Sequence, residues 1–270
     1  MELVSHDGGG FVFVRWSLAR EHRGVDELEA LHQYEAALEQ ERRLMAEEQG
    51  LVRLLSPDCE GRLFARWFLR FSAHGLYLTR YEGRWLPRRR WGYGRPGTGP
   101  FEKTPDTGGP DRDSESMLLE SVRATAGWWR DRHGESLDVE VLLGMSPLAG
   151  AEFYVRLCEN VIHGPSPFCG AAISYEVGRL LVTIGPALLA NCRRVFGRDS
   201  DCFDFLAAQI AWHADHLKTW RRDLESSLSD PALLWRQVDV GKTALVCFAV
   251  YLGECRDLAR ADLGLDGKER

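Results

Sequence analysis

Apolar side chains recur at spacings of three and four residues through most of the chain, which predicts helices. Gly24 to Gln49 places Leu28, Leu31, Leu38 and Met45 on one side and glutamates around the rest. That pattern predicts an amphipathic helix lying on the surface. Cys59 to Leu86 predicts a second long helix with an aromatic stripe of Phe64, Trp67, Phe68, Phe71, Tyr77, Tyr81 and Trp85. A stripe at helical spacing reads as core. Asp111 to Arg132 is the next helix; Asp113 or Ser114 can cap it and Gly134 ends it. After a short apolar segment, Leu137 to Leu143, Pro147 opens a helix that runs to His163 and stops at Gly164-Pro165. Phe168 to Phe196 is an apolar helix with a bend predicted at Gly185-Pro186. Asp201 to Ser227 and Ala232 to Leu263 complete an all-α chain of about eight helices.

Two stretches depart from the pattern. Residues 1–22 predict an irregular N-terminal arm, with a short strand signal at Gly10 to Trp16, ahead of a single helical domain over 23–270. Residues 87–110 predict a Pro/Gly-rich loop that holds five of the eleven prolines. Arg84, Arg88, Arg89, Arg90 and Arg95 cluster at its start, among Trp85, Trp91 and Tyr93. They form either a solvated loop or a place to meet an acidic group or partner.

Charge and cysteine content narrow the class. The net charge of −6 argues against nucleic acid as a partner. Seven cysteines lie scattered without a CxxC pair, as in a reduced, cytoplasmic protein without a zinc knuckle. No secretory signal is visible at the N-terminus. The apolar run from Phe168 to Ala190 contains Glu176 and Arg179, so a buried helix is expected rather than a membrane span. The expected partner is a small-molecule substrate, and a homodimer is allowed.

The candidate chemistry lies on two helices. Phe205, Leu206, Gln209, His213, His216 and Leu217 share one side of the helix that begins at Asp201. Two imidazoles on an apolar stripe need partners. Glu176, within AAISYEVGRLLV, needs one as well. Arg179 is available at i,i+3 on the same helix; His213 or His216 across the bundle is the alternative. Imidazole and carboxylate together suit iron, manganese or zinc. Glu159 and His163 form another pair at i,i+4, although His163 also suits the negative end of its own helix. Gly241-Lys242-Thr243 lacks the upstream glycine of a phosphate loop, since Arg236 stands there. No GxSxG elbow supports a hydrolase triad.

From Glu152 to Glu225 the chain resembles the heme-oxygenase-like diiron oxidase and oxygenase group, relatives in fold of TenA and PqqC proteins. Two segments carry the likeness: GPSPFCGAAISYE, Gly164 to Glu176, and FLAAQIAWHADH, Phe205 to His216. The resemblance implies a heme-oxygenase-like bundle. It implies a non-heme iron oxidase or oxygenase of specialised metabolism, using one or two Fe(II) ions and O2 on a small amine or amino-acid-like substrate. Glu176, His213 and His216 fall on metal positions. Gln209 stands where the group has a ligand histidine, and His213 where it has a carboxylate. These three would form a two-histidine, one-carboxylate set for a single iron. Further carboxylates are expected near Asp111 to Glu120, with Glu115 among them, and Glu159 and His163 could extend the site. Gln209, Tyr175 and Trp212 would contact substrate. Two alternatives stand beside this: a metal-free pseudo-enzyme or accessory binding protein, and a TenA-like hydrolase or PqqC-like cofactorless oxidase. The hydrolase would rely on Cys158, beside Glu159, or on Cys169.

Overall fold

The computed structural model of the chain describes residues 27–92, 114–228 and 231–265. Among them are nine α-helices, two 3₁₀ turns and no strand. The helices are α1 (Glu27–Ala46), α2 (Gln49–Leu55), α3 (Gly61–Gly92), α4 (Ser114–His133), α5 (Val139–Leu143), α6 (Ala149–His163), α7 (Gly170–Phe196), α8 (Asp204–Ser227) and α9 (Pro231–Asp262). The 3₁₀ turns, Pro167–Cys169 and Asp201–Phe203, lead directly into α7 and α8. The all-α expectation holds. The N-terminal arm 1–22 with its strand signal, residues 93–110 of the expected loop, Asp111 and Asp113 lie outside the described residues, as do the side chains of Arg84 to Arg95.

Several boundaries differ from expectation. Helix α3 does not stop at Leu86 but runs on through Pro87 to Gly92. Pro186 sits inside α7, which runs to Phe196 as expected. Proline costs a helix one hydrogen bond and a close carbonyl contact. Where both flanks of a helix are packed, tertiary contacts override that local penalty. The segment after α1 is not merely a stop: it forms α2, where the Glu48 carboxylate accepts the Leu51 N–H at 2.5 Å. Helix α5 is capped by Asp138, which accepts from the Val141 N–H at 3.1 Å.

Helix α7 is the central element. It packs along α8 and α9 and touches α3, while α6 lies on α9 and α4 lies on α3. Its first third, Gly170 to Gly178, is buried throughout, which explains the unbroken apolar run read from the sequence. The stretch Pro167–Phe196 is long and apolar enough to cross a membrane by length and composition, and much of it is buried in the bundle. Of the aromatic stripe of α3, Phe64, Trp67 and Phe68 are core as expected, and Phe71, Tyr77 and Tyr81 pack against it half-buried. Phe64 and Phe68 pack on Phe196 of α7, and the Trp67 indole donates to the Leu252 carbonyl of α9 at 3.3 Å. Helix α1 docks on α9, burying Ala30, Leu31, Tyr34, Leu38 and Met45.

Helices α6 and α9 meet backbone to backbone. A Cβ at Gly150 would sit 2.3 Å from the Tyr251 nitrogen and 2.7 Å from the Cys247 carbonyl oxygen. Glu254 of α9 exploits that proximity by accepting the Ala149 and Gly150 N–H groups at 3.2 and 2.9 Å, capping α6 from another helix. Backbone atoms cannot yield to a methyl group as a flexible side chain can. Gly150→Ala is therefore expected to push the two helices apart and to lower stability by about 1–3 kcal/mol, as overpacking does. Thermal unfolding against wild type measures it, and an unchanged midpoint would refute the close packing.

Candidate functional site

A cavity of about 100 Å³ lies between α3, α4, α6, α7, α8 and α9. Ser174, Val177 and Leu181 of α7 form one wall, and Phe205, Gln209, Trp212, His213 and Trp220 of α8 form the next. Phe71 and Gly75 of α3, Tyr154 of α6, and Phe248 and Tyr251 of α9 close the remainder. Leu78, Thr79, Leu181, Trp212 and Trp220 are half-buried, so the cavity opens along that side. The sequence periodicity of α8 produced this wall directly: residues 205, 209, 212, 213 and 220 share one side of a helix.

Helices α7 and α8 approach closely because Gly178 has no side chain. A Cβ there would stand 2.4 Å from the Trp220 ring and 3.3 Å from His213 Nδ1. The rings of Trp212, His213, His216 and Trp220 pack on one another with centroid separations of 4.7 to 5.8 Å. His216 does not line the cavity; its Nδ1–H donates to the Trp212 carbonyl, one turn back on the same helix, at 2.7 Å. His213 does line the cavity and is buried, as is Gln209.

Glu176 faces elsewhere. Its side chain has no exposed surface, and both oxygens are held by α1. Arg42 donates from Nε to Oε2 at 2.9 Å and from Nη2 to Oε1 at 2.6 Å. The Tyr34 hydroxyl adds a third bond, to Oε1 at 3.0 Å. The i,i+3 pair with Arg179 does not form. Arg179 instead reaches Glu35 of α1 at 2.6 Å. Glu35 also receives the Tyr175 hydroxyl and Arg42 Nη1, both at 2.6 Å. Two carboxylates, two guanidiniums and two phenols thus form one balanced cluster between α1 and α7. Burial opposes ionisation of Glu35, but the Tyr175 hydrogen bond and the Arg42 and Arg179 charges outweigh it and hold the carboxyl below its ordinary range. Burial foremost, then the Glu176 charge, raises the Tyr34 phenol well above its usual value, so it serves as a donor.

The glycine of the Gly241-Lys242-Thr243 triplet belongs to this cluster. A Cβ at Gly241 would lie 2.5 Å from the Tyr34 hydroxyl and 3.3 Å from Glu176 Cγ. It is a packing glycine on α9, and Lys242 beside it pairs with Glu41 of α1 at 3.4 Å.

The expected metal ligands are therefore not assembled. His213 lines the cavity, His216 is bonded to its own helix, and Glu176 is enclosed by Arg42 and Tyr34. Among the described residues, no three His, Cys, Asp or Glu side chains are grouped to hold a metal ion. The donor set consequently does not fit the iron that the resemblance implies. Of the remaining candidates, Gln209 and Trp212 line the cavity, whereas Tyr175 belongs to the charged cluster. Glu115 pairs with Arg80 at 2.9 Å on the surface, and His163 ends α6; neither they nor Glu159 line the cavity. All seven cysteines are buried and unbridged, and none lines the cavity. Burial pushes the Cys169 thiol up to about 11, far from a thiolate nucleophile. The residues that sequence reasoning missed are Tyr34, Glu35 and Arg42, which sit in a helix whose charges looked like solvated surface.

The arrangement of these helices is that of a heme-oxygenase-like fold. A solved domain of unknown function with a heme oxygenase-like fold from Shewanella denitrificans OS217 matches with a TM-score of 0.57 and 14% identity, over 91% of this chain and 98% of that chain. A TenA homolog from Pseudomonas syringae pv. tomato str. DC3000 matches with a TM-score of 0.50 and 10% identity, over 88% of this chain and 98% of that one. The sequence matches no protein-family model and no curated protein. Likeness at these identities shows the fold alone.

Proposed function

We propose that this chain is a metal-free protein that binds a small molecule in the aromatic cavity of a heme-oxygenase-like fold. One observation carries the reading: the Glu176 carboxylate is neutralised by a bidentate Arg42 and capped by Tyr34, on the side of α7 turned away from the cavity. A guanidinium supplies the positive charge that a buried carboxylate requires, so no metal ion is needed to balance it. The cavity then presents neutral aromatic, aliphatic, hydroxyl and amide groups, together with the His213 imidazole. Neither a carboxylate nor a thiol is among the lining residues. These features favour binding over iron-dependent oxidation and over TenA-like hydrolysis.

Metal analysis after anaerobic loading with Fe(II), and separately with Mn(II) and Zn(II), tests the proposal. The expected result is far less than one ion per chain, unchanged by Glu176→Ala or His213→Ala. One ion per chain, lost in both variants, would overturn it and restore the iron reading. An optical spectrum taken after O2 is admitted to the Fe(II)-treated protein gives a second readout, expected to show no visible band.

A further inference from the structure

None of the residues lining the cavity is Asp, Glu, Lys or Arg. An ion entering it would lose its hydration without meeting an opposite charge. Three of the lining hydroxyls are already engaged with backbone carbonyls. Thr79 donates to Leu76 at 3.0 Å, Ser174 donates to Gly170 at 3.2 Å, and Tyr251 donates to Phe71. Gln209 differs from them. It is only 8% exposed, it lines the cavity, and its carboxamide makes no hydrogen bond to any described residue. The fully enclosed unpaired polar atoms of the bundle do not include this amide, so it faces accessible space in the cavity, where an entering molecule can pair with it. A carboxamide offers one donor edge and one acceptor edge side by side.

The shape agrees with the chemistry. Trp212, Trp220 and Phe71 supply flat walls, and Gly75 leaves room where a Cβ would come within 3.3 Å of the Tyr251 hydroxyl. A cavity of roughly 150 Å³ lined by apolar side chains takes benzene; at about 100 Å³ and open along one side, this one takes no more than a single ring, which would extend into the opening.

Taking the cavity as the binding site proposed above, we infer that its ligand is an uncharged, planar, single-ring molecule with an amide-type edge. An N–H and a C=O on that edge pair reciprocally with Gln209, while the ring lies between the indoles and Phe71. The charged amine or amino acid implied by the sequence resemblance does not suit this lining.

Three near-isosteric probes test the inference: benzamide, benzoate and benzamidine, titrated against the full chain by tryptophan fluorescence and calorimetry, with benzene as the apolar reference. Benzamide is expected to bind at least roughly tenfold more tightly than either ion. Gln209→Leu is expected to weaken benzamide by roughly tenfold and leave benzene unchanged. Gln209→Glu, which keeps size and shape should the leucine variant fail to fold, is expected to reverse the order in favour of benzamidine. If benzoate or benzamidine binds wild type more tightly than benzamide, the ligand class is overturned while binding in the cavity stands. If Gln209→Glu leaves the order unchanged, the role of Gln209 is overturned. If none of the four compounds binds, the binding reading itself falls.

Discussion

Replacing Arg42 by alanine is expected to cost about 3–5 kcal/mol of stability, the loss seen when one partner of a buried ion pair is removed. The magnitude follows from burial. Glu176 has no exposed side-chain surface, and Arg42 supplies two of its three hydrogen bonds. Glu35 loses a partner in the same step, although Tyr175 and Arg179 remain with it. Chemical denaturation at neutral pH measures the loss. A double variant, Arg42→Met with Glu176→Gln, is expected to recover part of it, because the uncompensated charge is then absent. A loss below about 1 kcal/mol in Arg42→Ala would mean a solvated pair of the kind common on surfaces, and would remove the main support for a metal-free Glu176.

The second large effect is expected in acid and centres on His74. This α3 imidazole is 4% exposed, and its Nε2 has no hydrogen-bond partner among the described residues. Burial, aided by the neighbouring Arg70 charge, lowers its pKa to about 4. Unfolded, the same group titrates near 6.5. As pH falls below that value, the unfolded chain takes up a proton that the folded chain refuses. Stability is therefore full above the unfolded pKa and declines as pH falls through the window down to the folded one, by at most about 3 kcal/mol. Urea midpoints measured across that window for wild type and His74→Leu check it. The variant is expected to flatten the slope there and to keep only the steeper loss at lower pH, where paired carboxylates such as Glu35 protonate. Equal slopes in both proteins would place the proton uptake elsewhere.

The folding pattern was largely legible because helix formation is a local matter. The three- and four-residue apolar spacing located every long helix, and the all-α fold follows from that spacing together with the short connections. The errors fell where local signals meet tertiary packing. Pro87 lies beyond the expected end of its helix, yet α3 runs through it, and the stop expected after α1 is a further helix, α2. The α8 stripe was read correctly as one side of a helix, and Gln209, Trp212 and His213 do meet at the cavity. His216, one turn further on, does not, because it turns back to the Trp212 carbonyl.

The sequence by itself determined that Glu176 must have a partner, since a carboxylate inside an apolar run cannot remain unpaired. It also determined that His213 and Gln209 share a side with apolar residues. Which cation answers Glu176 was decided only by tertiary structure. Arg42 lies 134 residues away, on a helix whose glutamates and arginines have the composition of a solvated surface. Periodicity reports which side of a helix is apolar, but not which charged residue at the margin of that side will be carried inward by docking. Once α1 lies on α9 with Tyr34 against Gly241, Arg42 is brought to Glu176, and a carboxylate that resembled a metal ligand becomes half of an internal ion pair.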